Sequence, residues 1–319
     1  MSKTNDELIY RGKNPYPSTI AQKFQLEYKN YDIIAIVEGT SDEDFYKKTN
    51  IDILNRAYYI FATQDGYNSW NKPPVGKEAV IEAYFRIRKW MKIPTHNSII
   101  FIVDKDFFGI NWKAPKYNHF KDRYGATLDD IDNFTILDFH SHECYFILEN
   151  NLKQIFKLLN IEDKLEQFNN ILENNLEDFS EYFAYKSILE DENPKYPRLA
   201  RDWKNIKGIN FKFEFRDNKL VFNKEDMQGS IDIMKKEIIN SDNRKSLASQ
   251  YSEMKKEFKA HPELLRGHTL FELLECYLNH YGKTLKNYKE YNDEIIKEMD
   301  IPLKIRILTF DGKNYKQEE

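Results

Sequence analysis

Two unbroken apolar runs, each ending in carboxylates, set the pattern of this chain. Ile33-Ile34-Ala35-Ile36-Val37 leads into Glu38, Gly39 and Asp42, and Ile99-Ile100-Phe101-Ile102-Val103 leads into Asp104, Lys105, Asp106 and Gly109. Continuous, mostly β-branched runs predict strands buried on both faces, as in parallel sheets. Ser41 suits a helix cap, with Asp44 three residues on, so a helix is expected from Asp42 to about Asn50. Tyr58–Ala62 predicts a second strand, and Gln64–Val75, with Gly66, Pro73 and Pro74, a loop. From Gly76 the apolar residues Val80, Ala83, Tyr84, Ile87 and Met91 follow a helical period, which Pro94 stops. A further strand is expected over Phe134–Phe139. Alternating strands and helices in this rhythm predict an α/β fold with a parallel sheet and right-handed crossovers.

Beyond His140 the pattern becomes helical. His142–Asn160 reads as one helix, and a charged helical region continues to about Glu192. Phe211, Phe213 and Phe215 alternate with polar residues, Asp217-Asn218 marks a turn and Leu220-Val221-Phe222 returns, the signature of a hairpin. Residues 231–260 read as polar helix, Thr269–Tyr281 as a strong helix, and Ile305–Leu308 as a last strand before a solvated tail. The expected division is residues 1–150, an α/β domain with a polar N-terminal arm, and residues 151–319, a mainly helical domain.

Composition narrows the class. A hydrophobic share of 41% and an aromatic share of 15% supply a sizeable core and exclude a disordered chain. A net charge of −4 argues against indiscriminate nucleic-acid binding, while leaving room for a local basic patch. Cys144 and Cys276 lie in apolar helical contexts, which suits a reducing cytoplasm without a disulfide framework. The first residues lack the apolar core of a signal peptide, and no run reaches the ~18 apolar residues of a membrane span. The expectation is a soluble, cytoplasmic protein.

The strand-end acids carry the chemistry. Alone, each is most simply a turn former, and Asp42 a helix N-terminus residue favoured by the dipole. Jointly, Glu38, Asp104 and Asp106, with Asp42 and Glu143 as accessories, form a set of hard oxygen donors suited to Mg²⁺, with Mn²⁺ as the alternative. In an extended Asp-x-Asp segment both side chains fall on one side, so Asp104 and Asp106 would address one ion. Glu38, from a separate strand, would face them as ligand or general acid/base.

These residues resemble the Toprim domain of topoisomerases, bacterial primases and overcoming-lysogenization-defect nucleases. The likeness rests on Val37-Glu38-Gly39-Thr40-Ser41-Asp42 followed by Val103-Asp104-Lys105-Asp106-Phe107-Phe108-Gly109, and covers roughly residues 30–150. Phe45-Tyr46, Gly76-Lys77, Ser141-His142-Glu143-Cys144-Tyr145 and Arg266-Gly267-His268-Thr269-Leu270-Phe271 extend it to a bacterial family typified by the Toprim effector (AriB) of the PARIS anti-phage system. Cys144 stands where that family's signature has Asn. The resemblance implies a Toprim-like Rossmannoid sheet and a toxic nuclease that cleaves tRNA once released. It further implies an ABC-type (AriA-like) ATPase partner, Glu38 as catalytic glutamate, and Asp104 and Asp106 as metal ligands. No Walker A sequence is present, so ATP dependence would come from the partner.

Other residues compete with simpler roles. Lys77, at a helix start beside a glycine, suits phosphate contact or a solvated surface, and Lys105 lies between the two metal-candidate acids. Lys195, Arg198, Arg201, Lys204 and Lys207, interleaved with Tyr196 and Trp203, suit RNA phosphate contact with base stacking, or a plain basic surface. His140 and His142 suit proton relay or a structural hydrogen bond. Arg266-Gly267-His268 suits phosphate binding or a turn. The apolar stripe of the last long helix suits core or a homodimer interface. Rival readings of the whole chain are a Toprim nuclease acting on DNA and a non-catalytic module that docks on an ATPase.

Overall fold

The computed structural model describes Phe24 and residues 28–62, 76–91, 94–114, 117–190, 209, 211–216, 219–287 and 290–318. Most of the N-terminal arm, the loop over 64–75, the basic stretch with Arg198 and Arg201, and the turn at Asp217-Asn218 lie outside the described residues. The chain divides into two interleaved units rather than at one boundary near residue 150. The first takes the described residues up to Asp104, then His119–Asp138 and the chain from Pro302 onward; the second takes Lys105–Asn118 and Phe139–Ile301.

The first unit is an α/β layer. Its elements begin β1 (Ile33–Val37), α1 (Thr40–Lys48), α2 (Asp52–Asn55), β2 (Tyr58–Phe61), α3 (Lys77–Trp90) and β3 (Thr95–Val103). They continue with α4 (Asn118–Tyr124), β4 (Thr135–Ile136), β5 (Leu308–Phe310) and β6 (Tyr315–Gln317). β1 lies between β2 and β3, parallel to both, and β4 runs parallel to the end of β3. Ile34 to Val37 and Ile99 to Val103 are buried, as continuous apolar runs require. The expected final strand at Ile305–Leu308 starts later: the Arg306 N–H donates to Thr135 Oγ1 at 2.8 Å, and pairing begins at Leu308. β5 and β6 then add an antiparallel edge beyond β3, so the tail is structural and the sheet is mixed.

Aromatic packing explains why that tail holds. Tyr315 of β6 stacks on Tyr84 of α3 at 4.6 Å between ring centroids, and its hydroxyl donates to the Tyr84 carbonyl at 3.1 Å. The Tyr84 hydroxyl in turn donates to Asp130 Oδ1 at 2.8 Å, which also receives Arg88 at 2.6 Å. α3 carries the expected stripe, but Ala79, Ile81, Glu82, Phe85 and Arg86 are buried as well. Its outer side is covered by α4, with Phe85 stacked on Tyr124 at 5.3 Å. The pair Arg86 Nε–Glu82 Oε1, 2.7 Å, is therefore fully enclosed, and the Tyr124 hydroxyl donates to the same carboxylate at 2.6 Å.

The second unit is mainly helical: α5 (Glu149–Leu158), α6 (Leu165–Leu189), α7 (Lys224–Ile239), α8 (Arg244–Ala260), α9 (Gly267–His280) and α10 (Asp293–Glu298). α6 packs along α7 and α8, and α9 packs on a 3₁₀ turn at His142–Ile147. The helix expected over His142–Asn160 breaks into that turn and α5. The break is held by Asn151, whose side-chain amide donates to the carbonyls of Tyr145 and Asp300, each at 2.8 Å. The hairpin forms between Glu214–Arg216 and Lys219–Val221. The α9 stripe Leu270, Leu274, Tyr277 and Leu278 is core within this unit, with Tyr277 against Phe168 at 5.3 Å. Among the described residues no helix is long and apolar enough to cross a membrane.

Glu82→Leu leaves the Arg86 guanidinium buried without its main counter-charge and is expected to cost roughly 3–5 kcal/mol. The joint change Glu82→Leu with Arg86→Met should recover much of that loss, as urea unfolding of both variants would measure.

Candidate metal centre and flanking charge cluster

β1 and β3 deliver acids to one edge of the sheet. They are parallel neighbours with Ile36 opposite Phe101; Glu38 follows the last residue of β1 and Asp104 the last residue of β3. Carboxyl ends of parallel strands are where open α/β sheets place ligands. Ser41 does not cap α1. Gly39 occupies that position, and Asp42, the third helical residue, turns back so that its Oδ2 accepts the Gly39 N–H at 2.8 Å. That bond seats Asp42 at 5% exposure. A carboxylate oxygen of Asp42 and one of Asp104 lie within 4.8 Å of each other. Gly76, which opens α3, holds φ +57°, and a Cβ there would stand 3.2 Å from Glu38 Oε2. Glycine is thus needed twice over at that point, for the backbone and for the approach of the glutamate.

The donor set fits a divalent cation. Carboxylate oxygens are the hard ligands that Mg²⁺ and Mn²⁺ take. Two oxygens sharing one Mg²⁺ at about 2.0–2.1 Å stand roughly 3–4 Å apart, so a small side-chain rotation closes the observed separation. Lys77, read as a phosphate contact or a solvated surface lysine, is 4% exposed in the first turn of α3.

Asp106 departs from the extended geometry expected of Asp-x-Asp. The strand ends at Val103, and Asp106 opens the second unit in a turn with φ +52°, a left-handed conformation that aspartate tolerates better than most residues. Alternation along a strand therefore does not set its direction. Its N–H donates to the His140 carbonyl at 2.9 Å, and its Oδ1 lies 3.9 Å from His140 Nδ1. Lys105, half-buried, lies between the acids in sequence.

Glu143 is a hub of the second unit. It accepts from Ser141 Oγ at 2.7 Å, meets His268 Nδ1 at 2.9 Å and lies 3.5 Å from His142 Nε2, which also meets the Tyr291 hydroxyl at 3.0 Å. Burial alone would raise its pKa. His142, His268 and Ser141 outweigh that and hold it well below the usual carboxylate range. Its oxygens are committed to orienting histidines. His140 is pushed down to about 3, by burial first; Asp106 opposes the shift, and Arg266, Lys186 and His268 add to it. Gly267 allows α9 to press on this segment: a Cβ there would stand 2.4 Å from Ser141 Oγ and 2.8 Å from Cys144 Sγ.

Arg266-Gly267-His268 reads in sequence as phosphate binding or a turn; the pairing of His268 with Glu143, a contact distant in sequence, has no signal along the chain. Comparison with family models, curated proteins and solved structures found no match for this chain.

A histidine kept neutral by burial makes stability depend on pH. Above pH 6.5 the contribution is complete; as pH falls from 6.5 towards 3 the unfolded chain takes up a proton that the folded chain refuses. The loss is up to about 1.4 kcal/mol per pH unit. Glu143 acts in the same sense only below 4.5, where its unfolded form protonates. Denaturant midpoints should therefore fall from pH 6.5 to about pH 5, and His140→Gln should flatten that slope.

Proposed function

We propose that this chain is a divalent-metal-dependent, Toprim-type endonuclease that hydrolyses phosphodiesters of RNA. One observation carries the reading: the carboxylate of Asp42, in the first turn of α1, and that of Asp104, at the carboxyl end of β3, converge within 4.8 Å. Glu38, Asp42 and Asp104 would hold Mg²⁺ or Mn²⁺. When bound, the ion supplies positive charge to phosphate oxygens and to the leaving oxygen. The chain's own contribution is orientation and proton transfer. The Gly39 N–H fixes Asp42, strand ends fix Asp104, and Gly76 leaves Glu38 the room to exchange a proton at the attacking or leaving oxygen.

The Glu38-Gly39-x-x-Asp42 and Asp104-x-Asp106-x-x-Gly109 spacing supports the Toprim class. The same motif resemblance supports a finer proposal: an anti-phage effector acting on tRNA in the cytoplasm, held by an ABC-type ATPase until infection. The absence of a Walker A sequence agrees with an external ATPase.

The test is cleavage of total tRNA by the purified chain in Mg²⁺, read by sequencing RNA ends. Glu38→Gln and Asp104→Asn should each lower the rate about 10²–10⁴-fold, and EDTA should abolish cutting in the wild type. Cleavage of duplex DNA with RNA left intact would move the reading to a DNA nuclease. Unchanged toxicity of Glu38→Gln in cells would remove the enzyme reading altogether.

A further inference from the structure

Asn169, Leu172, Glu173 and Leu176 follow the i, i+3, i+4, i+7 spacing of one side of α6. That side walls a pocket of about 430 Å³, shared with the start of α5 and the 3₁₀ turn at Pro262–Leu264. The apolar lining is Ile147, Leu148, Leu152, Leu172, Leu176 and Pro262. Ile147, Leu152 and Leu172 are buried, whereas Leu148 and Leu176 are half-buried. Core residues of the second unit thus form a floor that stays open to a ligand. The volume falls in the range of small-molecule sites, about 300–1,000 Å³. One turn of an α-helix, about 11 Å across and 5.4 Å long, exceeds it, so the occupant is smaller than a helical turn.

The charge lining the pocket is of one sign. Glu149, Glu173 and Glu263 line it, and no lysine, arginine or histidine does. Neighbouring cations compensate part of this. Glu149 pairs with Lys153 at 2.5 Å, and Glu263 meets His261 Nδ1 at 3.2 Å. Lys259, next to Ala260 in sequence, is bound to Glu177 at 2.6 Å. Glu173 differs from these. Among the described residues it has no ion-pair or hydrogen-bond partner, and Asn169, one turn earlier, has none either. Neither lies at an end of α6, so neither the dipole nor a cap accounts for them. An open carboxylate and an open carboxamide, four residues apart beside an apolar floor, offer acceptors to a cation whose body leaves water for that floor. An anion entering the same pocket would meet only carboxylates.

We infer that this pocket binds a small organic cation, a primary ammonium carried on an apolar body. The ammonium meets Glu173 and Asn169, with Glu263 adding negative charge, and the body lies on Leu148, Leu172 and Leu176. The site lies within the second unit and stands on the residues named here, apart from the nuclease reading.

The test is a ligand-observed NMR titration of the full chain with hexylammonium, and with hexanol and hexanoate as probes of the same body. Hexylammonium should bind saturably, hexanol about fivefold more weakly and hexanoate not at all. Butylammonium, shorter by two methylenes, should bind roughly tenfold more weakly. Glu173 is exposed, so its variants keep the fold. Glu173→Gln should weaken hexylammonium about fivefold, and so should salt at about 1 M acting on the wild type. Glu173→Lys should abolish that binding and admit hexanoate instead. Leu176→Ser should weaken hexylammonium about fivefold by removing apolar wall. Glu166→Gln, at an exposed glutamate of α6 outside the pocket, should change nothing. Wild-type affinity for hexylammonium in Glu173→Lys, equal binding of the three hexyl probes, or no saturable binding to the wild type would overturn the site.

Discussion

The parallel register between β1 and β3 is the constraint on which the rest of the first unit depends. Ile36 stands opposite Phe101, so β3 runs one residue further than β1, and the two strands release Asp104 and Glu38 at the same edge. Both strands are buried, and a slip of one residue would turn an apolar set out of the core. The hydrophobic effect that seats Ile34–Val37 and Ile99–Val103 therefore also positions two carboxylates. α1 adds Asp42, whose carboxylate lies within 4.8 Å of that of Asp104, held by a single backbone bond from the Gly39 N–H. No charge–charge attraction is needed to assemble the group; burial of neutral side chains does it.

The second unit solves a different problem, the burial of polar groups. Glu143, His142, Tyr291, Ser141 and His268 form one connected set in which each contact favours the ionised carboxylate. Such a set is stable only when its members are satisfied together, and Gly267 makes that closeness sterically allowed.

Much of this was legible along the chain. The acids after β1 and β3 could be read because an unbroken apolar run forces a buried strand, and a buried strand must end where its first charge appears. The helix of Val80, Ala83, Tyr84 and Ile87 followed from period alone. What could not be read were features set by contacts distant in sequence. Asp106 looks like the second half of an extended Asp-x-Asp, yet a left-handed turn redirects it. The tail after Leu308 looked solvated, but Tyr315 finds Tyr84 and adds a strand. Gly267 resembled a turn glycine, whereas close approach to Ser141 and Cys144 is what requires it.

The most direct test of the central idea, that first-unit carboxylates trap a divalent ion, is titration of the full chain with Mn²⁺ followed by electron paramagnetic resonance of the free ion. The wild type should deplete the free-ion signal saturably, and the joint change Asp42→Asn with Asp104→Asn should abolish that depletion while the circular dichroism melt is preserved. Equal depletion by the wild type and the double variant, or none by the wild type, would contradict it.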